Sequence, residues 1–509
     1  MLRKTINHLA RLSRWQHFAV LLLVFSSFFL HIAVITQPDS PLFDELHYVP
    51  DARRIVNNEG TERTEHPPVA KLFIAGGIKV FGDNPWGWRM PAVILSSIAI
   101  ALFHDICRKL GAGHKLAFIA TLLLALENLT FIHGGIAMLD VYVMFFTILA
   151  FWLYLKGWWE AAAVAVALAG LSKVSGVLSI VPIGLHWLLT GFKSSMVKPP
   201  AEKELKRLDR FIYTYGRPLR FVLAMALAPV AFLLLMPVFD YIIWGHWIDP
   251  IAQIKYMAGG MASIKFSVYI DAETGLYKAP LPSRPWEWLL SPSGSFYFYG
   301  WLVDPAKYTL AALRYHVPPL YMGILSPTIW LAGLLAIPFT VWQSFKKNNV
   351  AIFAVCWLIG TWLLWIPLSL ATDRVSFIFY FLPSIGAVCL GTGLLLYKMM
   401  EKAVARRRGK LKRFLELLVL LFLVLHMVAF CWLSPVKLWV SIPACVLLLL
   451  FTVGYLGYNW KLKLAVPPEP IPTPVTEAGL LPAAPVEATE ENDLPAQDAS
   501  SLGSLVPPA

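Results

Sequence analysis

The chain has 509 residues, 58% hydrophobic and only 15% charged, with a mean hydropathy of +0.63 and a formal net charge of +12. No water-soluble globular domain carries that balance, whereas a polytopic helical membrane protein does. The basic excess is distributed like a topology signal rather than a nucleic-acid footprint, and five cysteines without C-x-x-C spacing exclude a disulfide framework or a thiolate metal site.

Twelve apolar spans are predicted, at 17–37, 87–106, 115–133, 137–155, 159–172, 175–192, 219–240, 318–343, 350–370, 375–397, 414–432 and 437–458. The first follows a basic segment and has no small-x-small cleavage pattern, so it reads as an uncleaved helix. With residues 1–16 in the cytoplasm, 28 of the 43 Lys and Arg residues fall on cytoplasmic segments, which fits the positive-inside rule. The expected organisation is a cytoplasmic N-terminus (1–16), an N-terminal transmembrane module (17–240) with a first external loop at 38–86, a second external loop (241–317), C-terminal transmembrane helices (318–458) and a disordered cytoplasmic tail (459–509). The stretch 464–509 is rich in Pro, Ala and Glu and has seven acids and no Lys or Arg, a composition that cannot bury a core. The Asn128-Leu129-Thr130 sequon lies at a span and is discounted. There is no Walker motif, no G-x-G-x-x-G and no H-E-x-x-H, so any reaction draws on an activated substrate or a gradient.

The first loop carries the densest ionisable cluster. Phe43-Asp44-Glu45-Leu46-His47 emerges from the first span, and a carboxylate at a water–lipid border is placed to accept a proton from a hydroxyl. The other reading of Asp44 is a helix cap. A surface-lying helix is expected after Pro50, with Ala52, Ile55 and Val56 on one face. Glu65-His66-Pro67-Pro68 then enters a helix bearing Lys71; His66 either meets a phosphate or a metal, or holds the loop. Arg89, in Trp86-Gly87-Trp88-Arg89, grips a lipid phosphate or anchors at the interface. Lys173, between two apolar runs, meets an anionic headgroup or snorkels to water. Asp140 and Arg374 are further border charges, each equally placed to be half of an ion pair. In the second loop, Ser283-Arg284-Pro285-Trp286-Glu287-Trp288 and Phe296-Tyr297-Phe298-Tyr299 form an aromatic surface that either covers a groove or rests on the bilayer.

Four of these segments resemble the protein O-mannosyltransferases that use polyprenyl- or dolichyl-phosphate mannose, members of the GT-C glycosyltransferases. Phe43-Asp44-Glu45 with His47 is similar to the F-D-E-x-H signature, and His66-Pro67-Pro68-Val69-Ala70-Lys71-Leu72 to H-P-P-L-G-K-L. Ser283 to Trp288 resembles the S-R-P-W-x-W-P segment, and Arg374 to Pro383 the late R-x-x-F-x-Y-Y-x-P helix. The resemblance runs from about residue 43 to 385 and implies an all-α GT-C membrane fold of the prokaryotic type, without the large domain of eukaryotic members. It implies inverting transfer of mannose from a polyprenyl phosphate to Ser or Thr of an acceptor protein, in the plasma membrane and at its extracytoplasmic face.

In that scheme Asp44 is the general base, with Glu45 beside it in the catalytic pair. The candidates for substrate binding are His66, Lys71, Arg89, Asp140, Lys173, Arg284, Trp286 and Arg374. Metal dependence stays open, with no certain cofactor and a divalent ion as one possibility. The alternative functions are a related GT-C transferase acting on lipid A or another glycan, and a polyprenyl-lipid transporter or flippase.

Overall fold

The computed structural model describes residues 2–196, 207–263, 265–270, 282–290, 321, 323–405 and 409–462. Most of the second loop, including Phe296-Tyr297, and the acidic tail lie outside the described residues. Among the described residues the structure is mainly helical, with an isolated antiparallel bridge between Lys265 and Arg374.

Helix α1 spans Leu2–Ile32, α2 Glu45–Val56, α3 Pro68–Phe81, α4 Pro85–Lys109, α5 His114–Ala125, α6 Asn128–Gly134, α7 Leu139–Leu155 and α8 Trp159–Ser172. Nine helices among the described residues are long and apolar enough to cross a membrane, and α5 and α6 form a tenth candidate bent by 64°. With the shorter apolar α7 and α8, these fall on all twelve predicted spans. Hydropathy locates them because a spanning backbone must satisfy its own hydrogen bonds as helix.

Helix α7 forms the centre. It is apolar on every side and buried over most of its length, packing on α4, α8 and the helix Leu382–Ala405. The α5–α6 bend is held by Glu127, whose carboxylate accepts the Thr130 backbone N–H at 2.7 Å and that of Ser326 at 2.8 Å. It thereby caps α6 and fastens the start of the helix Pro327–Phe345. Asn128 of the sequon is fully buried at that joint.

The first loop departs from the expected surface helix. Helix α2 begins at Glu45, five residues before Pro50, and packs against α3, which rests on α4 and α8. Tyr48, Val49, Ala52 and Ile55 are buried with Asp51 on the inner side, while Pro50 faces outward. The apolar face therefore covers protein rather than lipid. Gly60, at φ +78°, lies against the Trp244 ring, so a Cβ has no room there. This close approach seats the 57–66 turn on the helix Arg207–Trp244.

Candidate active site

Phe43 adopts a left-handed backbone (φ +50°) and turns the chain so that Asp44 precedes α2. Asp44 occupies the N-cap position, yet its side chain makes no cap hydrogen bond. The capping role is therefore not what the carboxylate does. It is half-buried, and burial raises its pKa to about 6 against the opposing pull of Lys173. Asp140 adds to the rise and Arg63 lowers it.

Glu45 faces the other way. Its Oε2 accepts from Arg89 Nη2 at 2.8 Å and from the Leu42 N–H at 3.0 Å. Its Oε1 accepts from Arg89 Nε at 2.9 Å and from the Ala137 N–H at 2.7 Å. Both partners of this ion pair are fully buried. The three remaining bonds of Arg89 go to the carbonyls of Ile35, Pro38 and Ser40. All five guanidinium N–H groups, or their equivalent in bonds, are thus committed to protein. This corrects two expectations: Arg89 has no donor left for a lipid phosphate, and Glu45 is a clamp that fixes the end of α1, the start of α2 and the α6–α7 turn around Asp44.

Lys71 is likewise committed. It is buried and donates to Thr61 Oγ1 at 3.0 Å and the Arg63 carbonyl at 2.8 Å, with Asp51 at 3.7 Å. Asp51 accepts from the Thr61 hydroxyl and from the Glu62 N–H. Burial lowers the Lys71 pKa to about 8. Lys71 therefore holds the 57–66 turn that carries Arg63, Glu65 and His66, and it does not face the cavity as a substrate ligand would.

The cavity lies beside Asp44. It has a volume of about 590 Å³ and is bounded by His66, Lys173, Lys265, Arg374 and Tyr380 at its polar end. Val174, Val177, Leu178, Trp365 and Leu368 form an apolar flank. No acidic side chain lines it among the described residues. Helix α8 stops at Ser172, and Lys173 is extended (φ −159°, ψ 136°) before a 3₁₀ turn at Val174–Ser179. This break turns the ammonium inward, where it donates to Asp140 at 2.9 and 3.0 Å and lies 4.1 Å from the centre of the Tyr380 ring. Asp140, at the first turn of α7, is the partner that makes a buried lysine affordable. His66 packs edge-on to Tyr48, with ring centres 5.8 Å apart, and burial plus the surrounding cations push its pKa well down. It is a neutral imidazole at pH 7, able to donate or accept one hydrogen bond.

The second loop closes the far wall. Arg284 donates to Asp373 at 2.8 Å and to Ser369 Oγ at 3.1 Å, and its guanidinium lies 3.7 Å from the centre of the Phe266 ring and 5.8 Å from that of Trp286. Ser283 N–H donates to the Ser376 carbonyl, and the Ser376 hydroxyl returns a bond to the Ser283 carbonyl. Arg284 therefore fastens the loop to the Asp373–Ser376 turn, Trp286 lies beside its guanidinium, and neither is among the residues that line the cavity. Of the ten residues expected at the site, Lys173, His66 and Arg374 line the cavity, Asp44 and Asp140 adjoin it, and five brace it. Lys265 and Tyr380 line it without having been singled out; Tyr380 lay inside the late motif, and Lys265 had no motif to mark it. Among the described residues no group of three or more His, Cys, Asp or Glu side chains is arranged to hold a metal ion.

A family model described as dolichyl-phosphate-mannose-protein mannosyltransferase matches residues 65–201. A polyprenol-phosphate-mannose–protein mannosyltransferase of Mycobacterium tuberculosis is 24% identical over 467 residues, covering 80% of this chain and 85% of that one. Its counterpart in Corynebacterium glutamicum is 32% identical over 154 residues, 28% of this chain and 29% of that one. Over most of its length the chain is similar to the protein O-mannosyltransferases. Its fold is that of the Saccharomyces cerevisiae protein O-mannosyltransferase Pmt1-Pmt2 complex bound to the sugar donor, with a TM-score of 0.54 at 12% identity over 82% of this chain and 90% of that one. The GT-C architecture expected from the motifs is thus present. The family's glycine in H-P-P-L-G-K-L is Ala70 here, and its methyl group is fully buried in α3.

Proposed function

We propose that this protein is an O-mannosyltransferase that moves mannose from a polyprenyl-phosphate carrier to Ser or Thr hydroxyls of proteins, with inversion, on the extracytoplasmic side of the plasma membrane. The relatives named above are polyprenol-phosphate-mannose–protein mannosyltransferases. The observation that carries the reading is a half-buried, uncapped Asp44 carboxylate beside a cavity with cations at one end and an apolar wall along its flank. That cavity matches an anionic phosphate attached to a hydrocarbon chain.

The reaction is a single displacement. The acceptor oxygen attacks the anomeric carbon as its proton passes to Asp44. The bond from that carbon to the phosphate oxygen breaks, and polyprenyl phosphate departs with the electron pair. Lys173 and Arg374 face the charge that builds on the phosphate. Asp140 holds Lys173 in place.

General-base assistance is worth about 10²–10⁴-fold in rate. Asp44→Asn keeps the shape of the side chain and removes the base. It is expected to lower transfer from polyprenyl-phosphate mannose to an acceptor peptide by at least a hundredfold, with an unchanged melting temperature. Transfer within tenfold of wild type would reject the assignment.

A further inference from the structure

The buried brace around Lys71 ends on an exposed side chain that the displacement scheme leaves unused. The Arg63 backbone is tied at both its polar groups. Its N–H donates to the Asp51 carboxylate at 3.3 Å, and its carbonyl accepts from Lys71 Nζ at 2.8 Å and from the His66 N–H at 3.2 Å. From that fixed base the Arg63 guanidinium reaches back to α2, where Nη2 donates to His47 Nδ1 at 2.8 Å, and Glu65 lies 3.8 Å from Nη1. A guanidinium has no acceptor, so Nδ1 accepts and the ring proton sits on Nε2. Burial and the Arg63 charge hold the His47 pKa below its usual value, which keeps the imidazole neutral at pH 7. His47 is exposed, and its Nε2 meets no partner among the described residues. It follows Asp44 by three residues, and its backbone N–H donates to the Asp44 carbonyl at 2.9 Å. Helical residues so spaced share a face, with Cβ atoms about 5–6 Å apart.

We propose that His47, pinned by Arg63, donates from Nε2 to a backbone carbonyl of the acceptor peptide and so sets the Ser or Thr hydroxyl against Asp44. This rests on the mannosyl transfer proposed above. Inversion requires the acceptor oxygen to approach the anomeric carbon on the face opposite the departing phosphate. His47 adjoins Asp44 but is absent from the lining of the cavity that takes the phosphate, and it is open to water. A water-soluble peptide arrives from that side, which favours the peptide over the donor's mannose as the partner. Every Ser and Thr in a peptide has a carbonyl beside it, so the contact positions the acceptor without selecting a sequence.

The test measures transfer by the full-length protein in detergent near pH 8, where Asp44 is ionised. A Ser/Thr-rich peptide is varied at saturating polyprenyl-phosphate mannose, and then the lipid at saturating peptide. His47→Phe keeps a ring and removes the donor. Its KM for peptide is expected to rise about three- to tenfold, as for one hydrogen bond between neutral groups, with the KM for lipid and the melting temperature unchanged. His47→Gln, which carries an N–H at the place of Nε2, restores most of the loss. Arg63→Met frees the ring to take either tautomer and raises the peptide KM less than His47→Phe does. Added to His47→Phe it costs nothing further, and additive losses would overturn the pinning. A peptide KM that rises less than about threefold in His47→Phe overturns the proposal. So does a lipid KM that rises equally, which assigns the imidazole to the sugar. A lowered melting temperature without rescue by His47→Gln marks a bracing side chain and also overturns it. Binding of a fluorescent copy of the peptide, with undecaprenyl phosphate present, is followed in parallel. His47-dependent binding without mannosyl transfer sinks the proposed function alone, and transfer with a His47-independent peptide KM sinks this inference alone.

Discussion

A carboxylate that takes a proton near neutrality works best when its pKa is close to the ambient pH, and burial brings Asp44 to about 6. The sign is definite: the raised pKa keeps the base form dominant above pH 6 and withdraws it below. We therefore expect kcat/KM at fixed donor to rise tenfold per unit through the acid limb, bend near pH 6 and level above it. Measuring the profile from pH 4.5 to 8.5 checks this, and an acid limb bending below pH 5 contradicts it. Glu45 makes the opposite use of the same chemistry, accepting four hydrogen bonds with no exposure. Glu45→Ala leaves a buried, uncompensated guanidinium, a defect that costs about 3–5 kcal/mol. The expected result is a large fall in melting temperature and in yield of folded protein, unlike Asp44→Asn. A Glu45→Ala protein that melts like wild type argues against the clamp.

At the scale of elements, the site is assembled from breaks in helices. Lys173 reaches the cavity because α8 ends one residue earlier, and Arg374 follows Asp373, a left-handed residue (φ +49°) that closes the preceding helix. The second loop is fastened to that turn chiefly through Arg284 and Asp373. Arg284→Met or Asp373→Asn should each lower kcat/KM for the lipid donor severalfold with little change in melting temperature, since the helix bundle is untouched. The double variant should be no worse than the worse single one, because both remove one interaction. Fully additive losses would show that the two side chains act separately.

At the scale of the whole molecule, the proposed direction of transfer requires the Asp44 side of the bundle to lie outside the cell, as the charge asymmetry along the chain leads us to expect. The native cysteines are all buried, so an introduced thiol reports cleanly. Leu46→Cys, at an exposed position, is expected to react with a membrane-impermeant maleimide in intact cells. Leu411→Cys, also exposed, should react only after permeabilisation. The reverse pattern would place the site in the cytoplasm and undo the proposed direction of transfer.

The amino-acid sequence by itself determined the twelve apolar spans, because lipid leaves a spanning backbone no alternative to helix, and it marked the two first-loop motifs by their density of ionisable groups. It also identified Lys173 and His66, whose depth and company are unusual for a charge or an imidazole near lipid. The division of labour between Asp44 and Glu45 was decided only in three dimensions, by Arg89, 44 residues beyond Glu45, which takes one carboxylate and leaves its neighbour uncapped. The same holds for Lys71, Arg284 and Trp286, whose types suit phosphate or sugar but whose partners are Thr61, Asp373 and the loop itself. A side chain's type states what it is able to bind, and packing decides which partner reaches it first.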